Sequence, residues 1–171
     1  MRIWLMVLLA LFWPRAGFSA GYTAVLLSGD TGFSSSEALG VNSRGEVAGD
    51  AFDFPSGGVG FVWSAQSGYR YLTANDSYSQ TWGSGITDEG VAVGGAVPVD
   101  GGSDRPFAWM PDGSSLEVPQ PDPSYFSSLT AINPAGLAVG GSTIWNLGTS
   151  PSSVVTHLTD GQILGIGPSG A

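Results

Sequence analysis

Gly85-Ile86-Thr87-Asp88-Glu89-Gly90-Val91-Ala92-Val93-Gly94-Gly95 decides the fold, because the chain writes this stretch three times. Upstream stands Gly40-Val41-Asn42-Ser43-Arg44-Gly45-Glu46-Val47-Ala48-Gly49-Asp50, and downstream stands Ala131-Ile132-Asn133-Pro134-Ala135-Gly136-Leu137-Ala138-Val139-Gly140-Gly141. Asn42, Thr87 and Asn133 are separated by 45 and then 46 residues. A period of that length marks blades, solenoid rungs or arrays. In each copy an apolar residue enters a tight turn and a glycine leaves it. Asn and Asp near the start of a turn bond the backbone ahead of them, and glycine accepts positive φ. The Asn and Asp side chains could instead hold calcium or another ligand, but turn chemistry accounts for them without one. Glu46 to Gly49, Val91 to Gly94 and Leu137 to Gly140 then read as short buried strands ended by glycine.

The rest of the unit recurs as well. Phe61-Val62-Trp63 returns as Phe107-Ala108-Trp109, 46 residues later, with Phe and Trp on one face of a third strand. A turn follows, then a fourth strand at Tyr69 to Leu72 and Ser115 to Val118. The third copy is degraded: Val155-Thr156-His157 and Ile163 to Ile166 fit the order, with His157 in the Trp slot, and Trp145 offers a competing register. Asp30, Asp76 and Asp122 are spaced by 46 residues each, in polar loops where an aromatic (Phe33, Tyr78, Tyr125) and a serine follow. No segment holds a 3.6-residue period. The chain is therefore expected to be all-β, with three four-stranded antiparallel repeats of about 45 residues. Their boundaries fall near 28–72, 73–118 and 119–166, and 22–27 is a leading strand. A blade-like, partial propeller is the first expectation; a three-fold closed β-trefoil or β-prism is the alternative, since propellers usually need four or more blades.

Residues 1–20 differ from the rest. Met1-Arg2, the apolar run Ile3 to Trp13 and small residues up to Gly21 have the layout of a secretory signal peptide. Cleavage is expected between Ser19 and Tyr22, leaving 21–171 as a single secreted or periplasmic β domain. That removes two of the five basic residues; three arginines against 14 acidic side chains leave a net charge of −11. Such a surface repels phosphate backbones and anionic lipid, so neither nucleic acid nor, after processing, a membrane is an expected partner. There is no cysteine and one histidine, which argues against a thiolate nucleophile and against zinc.

These motifs resemble the HAF-repeat family of bacterial extracellular proteins, whose unit carries an Ile-Asn-x-x-Gly turn, a Val-Val-Gly strand and a His-Ala-Phe-x-Trp strand. Val41-Asn42…Gly45 and Ile132-Asn133…Gly136 match the turn. Phe61-Val62-Trp63 and Phe107-Ala108-Trp109 match the aromatic strand, with Val59-Gly60 and Arg105-Pro106 in place of His-Ala. The resemblance covers nearly all of the chain after residue 20. It implies a propeller-like architecture and secretion, and it carries no catalytic residue and no particular activity.

The chemistry that remains is sparse. A Ser-His-Asp arrangement would depend on His157 alone. Asp100-Gly101-Gly102-Ser103-Asp104 is oxygen-rich enough for calcium but lacks the EF-hand ligand order. The sharper candidate is the loop set Asp30/Phe33, Asp76/Tyr78 and Asp122/Tyr125. If equivalent loops share a rim, they offer stacking faces and acceptors to a neutral polysaccharide, or a surface to a protein. The aromatics could equally wedge between units. The expected function is a non-catalytic binding or structural module without cofactor, able to self-associate through edge strands at Tyr22 to Leu27 and Ile163 to Ile166. The alternative is a carbohydrate-active enzyme, a hydrolase or lyase, using paired carboxylates.

Overall fold

The computed structural model describes residue 27, residues 32–121 and 128–148, the backbone of residues 153–157, and residues 163 and 165–168. The expected leader and most of the leading strand lie outside them. Among the described residues there is no helix, and twelve strands form three antiparallel sheets. The first holds β1 (Ser35–Val41), β2 (Val47–Asp53), β3 (Gly57–Ser64) and β4 (Gly68–Leu72). The middle sheet holds β5 (Tyr78–Ile86), β6 (Ala92–Pro98), β7 (Arg105–Trp109) and β8 (Ser115–Glu117), and the third holds β9 (Ala131–Ile132), β10 (Leu137–Gly140), β11 (Thr143–Asn146) and β12 (Ser153–His157). Each is a meander in chain order, and none closes on itself into the barrel that a β-trefoil requires.

The turns that lead from first to second strand explain their own sequence. The N–H of Asn42, Thr87 and Asn133 donates to the carbonyl of Glu46, Val91 and Leu137 at 3.0, 3.0 and 2.9 Å. Their carbonyls accept from the N–H of Gly45, Gly90 and Gly136, whose φ values of 75, 87 and 77° only glycine adopts freely. The side-chain oxygens complete the turn: Asn42 Oδ1 accepts from Glu46 N–H at 2.9 Å, Thr87 Oγ1 from Val91 at 3.3 Å and Asn133 Oδ1 from Leu137 at 2.9 Å. Turn and strand chemistry thus occupies these oxygens. The Asn42 amide also reaches forward, donating to the Thr87 carbonyl at 2.8 Å, while Ser43 N–H donates to Asp88 Oδ1 at 2.8 Å. Asn133 donates in the same sense to Gly167 at 3.1 Å. Thr87 carries a hydroxyl in place of this amide.

Gly49, Gly94 and Gly140 were expected to end their strands. Only Gly140 does; β2 and β6 run on to Asp53 and Pro98. The reason for glycine is a close approach: a Cβ at Gly49, Gly94 or Gly140 would collide with the carbonyl oxygen of Glu37, Trp82 or Ser128. The ladders shift register beside this crossing, between Ala38 and Gly40 and between Gly83 and Gly85, as at a β-bulge. First strands of successive sheets also converge. A Cβ at Gly40 would stand 2.9 Å from the Ser84 carbonyl, and one at Gly85 would stand 3.4 Å from the Ala131 Cα.

The middle sheet is buried on both faces, and alternation divides its side chains. Ala92, Ala96, Phe107 and Trp109 pack with Ala48, Val62 and Leu72 of the first sheet. Val93, Ala108 and Val118 pack with Leu129, Ala138 and Trp145 towards the third. Buried Thr81 staples the first interface, donating to the Leu72 carbonyl at 2.5 Å and accepting from Gly60 N–H at 2.9 Å. The indole N–H of Trp109 reaches back to the Thr73 carbonyl at 2.9 Å, and that of Trp145 to the Pro119 carbonyl at 2.6 Å. Trp63 was expected to be the buried equivalent of Trp109; it is only half-buried, since it lies on the first sheet's outer face.

The third sheet settles its two competing registers. Trp145, not His157, takes the slot of Trp109: Ala138 pairs with Trp145 as Ala92 pairs with Trp109. The physical cause is a hairpin reduced to Gly141-Ser142, with Gly140 paired to Thr143, where Gly94 and Phe107 enclose a much longer excursion. Ser153–His157 accordingly becomes the fourth strand beside β11. In the expected strand at Ile163 to Ile166 the described residues, 163, 165 and 166, carry no ladder, and Ile163 N–H donates to the Gly141 carbonyl at 2.7 Å.

Candidate functional site

The loop set expected to form a binding rim can be followed in full only at Asp76/Tyr78 and in part at Phe33, because Asp30, Asp122 and Tyr125 lie outside the described residues. Tyr78 does not sit in a loop: it opens β5, packs edge-on against Phe107 with ring centroids 4.9 Å apart, and donates to Glu117 Oε2 at 2.6 Å. Phe33 precedes β1 and meets Tyr71 edge-on at 6.4 Å. Tyr71 and Glu117 are 46 residues apart, so both aromatics brace their own sheet's fourth strand at the same position. Asp76 is exposed, and the turn beside it is made by Asn75, whose Oδ1 accepts from Ser77 N–H at 2.9 Å. Tyr78 thus spends its ring and hydroxyl on its own sheet, while Asp76 is open to solvent.

Burial and the bond to Glu117 push the Tyr78 phenol up to about 12. An ordinary tyrosine ionises near 10. The folded state thus holds this proton more tightly than the unfolded chain does. Its stabilisation is complete below about pH 10 and lost as pH rises through about 12. Ultraviolet titration should show a late-ionising step that is lost in Tyr78→Phe; a wild-type curve unchanged by that substitution would show that the bond to Glu117 does not hold in solution.

The calcium candidate is a hairpin loop. Asp100 Oδ1 accepts from Gly102 N–H at 3.0 Å, and the Asp104 carbonyl accepts from Gln120 Nε2 at 3.0 Å. Burial raises the Asp104 carboxyl. Among the described residues no three His, Cys, Asp or Glu side chains gather into a metal site.

A different concavity is built where the first sheet's β2–β3 hairpin leans over the start of β5. This groove, of about 530 Å3, is lined by Asp50, Phe52, Asp53, Phe54, Pro55, Gly57, Gly58, Gln80, Thr81 and Trp82. Phe54 is 96% exposed and Phe52 40%. Gln80 lies along Gly57, where a Cβ would come within 2.9 Å of its side chain. Burial, and then the Glu37 carboxylate paired opposite it across the β1–β2 ladder, raise the Asp50 carboxyl. Asp53 is held below the usual carboxylate range by the Ser34 hydroxyl and by the Ser34 N–H, which donates at 2.6 Å.

Sequence reasoning passed over this groove because it has no counterpart at the repeat spacing. The middle sheet carries Gly95, Val97, Pro98 and Val99 where the first carries Asp50, Phe52, Asp53 and Phe54, and the third sheet has no such hairpin. The signal that was present is the run Asp50-Ala51-Phe52-Asp53-Phe54-Pro55, in which aromatics and carboxylates alternate. Comparison with known protein families, with characterised proteins and with solved structures finds no match.

Proposed function

We propose that the chain is an exported, non-catalytic β-repeat protein of blade-like architecture, a partial propeller akin to the HAF-repeat family, that serves as a surface-binding module for polysaccharide. Support for the blade-like reading is the set of links joining equivalent positions: converging first strands, indoles reaching back to residues 73 and 119, and the amide of Asn42 reaching on to the next turn. Support for export is the pattern of residues 1–20. The observation that carries the non-catalytic reading is how the polar groups are spent. Asn42, Thr87, Asn133, Thr81 and Tyr78 are all engaged in holding turns and sheets together.

A carbohydrate-active enzyme is the second reading, and one observation favours it: Glu37 and Asp50 face each other across a strand pair, as paired carboxylates would. Co-sedimentation of the full chain with insoluble polysaccharides, with an assay for new reducing ends, separates the two. Retention without new ends is expected. Release of ends that stops in Asp50→Asn would install the enzyme reading instead.

A further inference from the structure

The groove between the first and middle sheets has features that a scaffold does not explain. Large apolar side chains on a soluble surface are tolerated singly, but Phe52 and Phe54 stand together, beside two carboxylates and an amide. Like charges directly opposite on a strand pair repel, so Glu37 and Asp50 cost stability where they stand. Among the described residues no arginine relieves them. Arg44 pairs with Glu46 at 2.6 Å, Arg70 donates to the Met110 carbonyl at 3.3 Å, and Arg105 donates to Gln120. The chain has no lysine. The groove is thus an acidic, aromatic-flanked concavity of the size range that small ligands occupy.

Its charge asks for a cation, and its aromatics ask for a flat or apolar face to lay on them. A peptide strand is a poor occupant of the hairpin wall, because β2 and β3 pair their own backbones there, Phe52 with Gly58 and Asp53 with Gly57. A sugar ring that carries an ammonium meets both demands, with its hydroxyls left for the carboxylates and for Gln80. We propose that this groove binds a de-N-acetylated amino sugar of a polysaccharide, its ring against Phe54 and its ammonium on Asp50 and Asp53. The proposal rests on the polysaccharide-binding reading above and moves the site from the loop rim to the groove.

Isothermal titration of the full chain at about pH 6, below the usual range of amine ionisation, tests it with four probes: a glucosamine tetramer, its N-acetylated form, a glucose tetramer and tetralysine. The glucosamine tetramer is expected to bind at least about tenfold tighter than the other three, a difference of about 1.4 kcal/mol. Phe54→Ala and Asp50→Asn are each expected to lose about tenfold, with Asp50→Glu restoring part of it and Phe54→Ala leaving the melting temperature unchanged. Equal binding of the N-acetylated form removes the role of charge, and equal binding of tetralysine removes the sugar. Either result, or the absence of glucosamine binding, overturns the proposal. If polysaccharide still sediments with Phe54→Ala at undiminished affinity, the groove is the wrong site while the binding-module reading stands.

Discussion

Trp109→Ala is expected to destabilise the chain by about 3–5 kcal/mol, the range for removing a large aromatic from a core. Trp109 is 1% exposed, and it lies in the cluster that joins the first and middle sheets. It stacks on Phe107 with centroids 5.6 Å apart and donates its indole N–H to Thr73. Truncation therefore opens a cavity at an interface and strands a carbonyl. Trp63→Ala, at the same register position but half-buried, should cost at least about 1 kcal/mol less, because less packed surface is lost. Urea melts of both variants give the comparison. A Trp109→Ala cost below about 1 kcal/mol, or one equal to that of Trp63→Ala, would remove Trp109 from its place between the sheets.

Gly94→Ala is the second large effect, although it adds a single methyl. The new Cβ would run into the carbonyl of Trp82, and a backbone atom has no rotamer with which to move aside. Relief requires β5 and β6 to separate, which also disturbs the Gly94 carbonyl that accepts from Leu129 N–H at 2.9 Å at the interface to the third sheet. A cost of about 3 kcal/mol, the upper end of ordinary overpacking, is expected. Gly113→Ala is the comparison: its φ of 90° makes alanine strained, but nothing lies within 4 Å of the added carbon. Its cost should stay near 1–2 kcal/mol, about that of a left-handed residue. If Gly94→Ala melts within about 0.5 kcal/mol of the native chain, the crossing at Trp82 is looser than its geometry implies.

These two residues mark how far the sequence could be read. The Asn42, Thr87 and Asn133 turns were legible because their bonds close within four residues, so residue type and spacing carry the whole explanation. The purpose of Gly94 was not legible, since the carbonyl that forbids a side chain comes from Trp82 on a neighbouring strand. Trp145 was placed only as a competitor to His157 because periodicity counts residues, and the shortened hairpin at Gly141-Ser142 broke the count while preserving the ladder. Tyr78 was read as a rim residue because its period was real. What the period does not say is which way a side chain faces, and Tyr78 turns to Phe107 and Glu117. The groove was invisible for the opposite reason. Its residues come from 50–58 and 80–82, in two sheets, and they are where the copies differ rather than where they agree.

The direction of the links between sheets has a consequence for how such a chain can change length. Trp109 and Trp145 look back to the stretch that follows the preceding fourth strand, while Asn42 looks forward to the next turn. The middle segment thus carries both a plug for its predecessor, the Trp109 indole, and a socket for its successor, the Pro119 carbonyl. Recombination that duplicates such a segment in full inserts a matched plug and socket together, so the seam on either side is one the chain already knows how to make. An insertion of half that length separates them and leaves an indole without its carbonyl. Lineages of this architecture should therefore lengthen and shorten by whole cassettes, and the hairpin between the second and third strands, which shrinks to Gly141-Ser142 in the third sheet, is where a cassette is free to be trimmed or to acquire a ligand of its own.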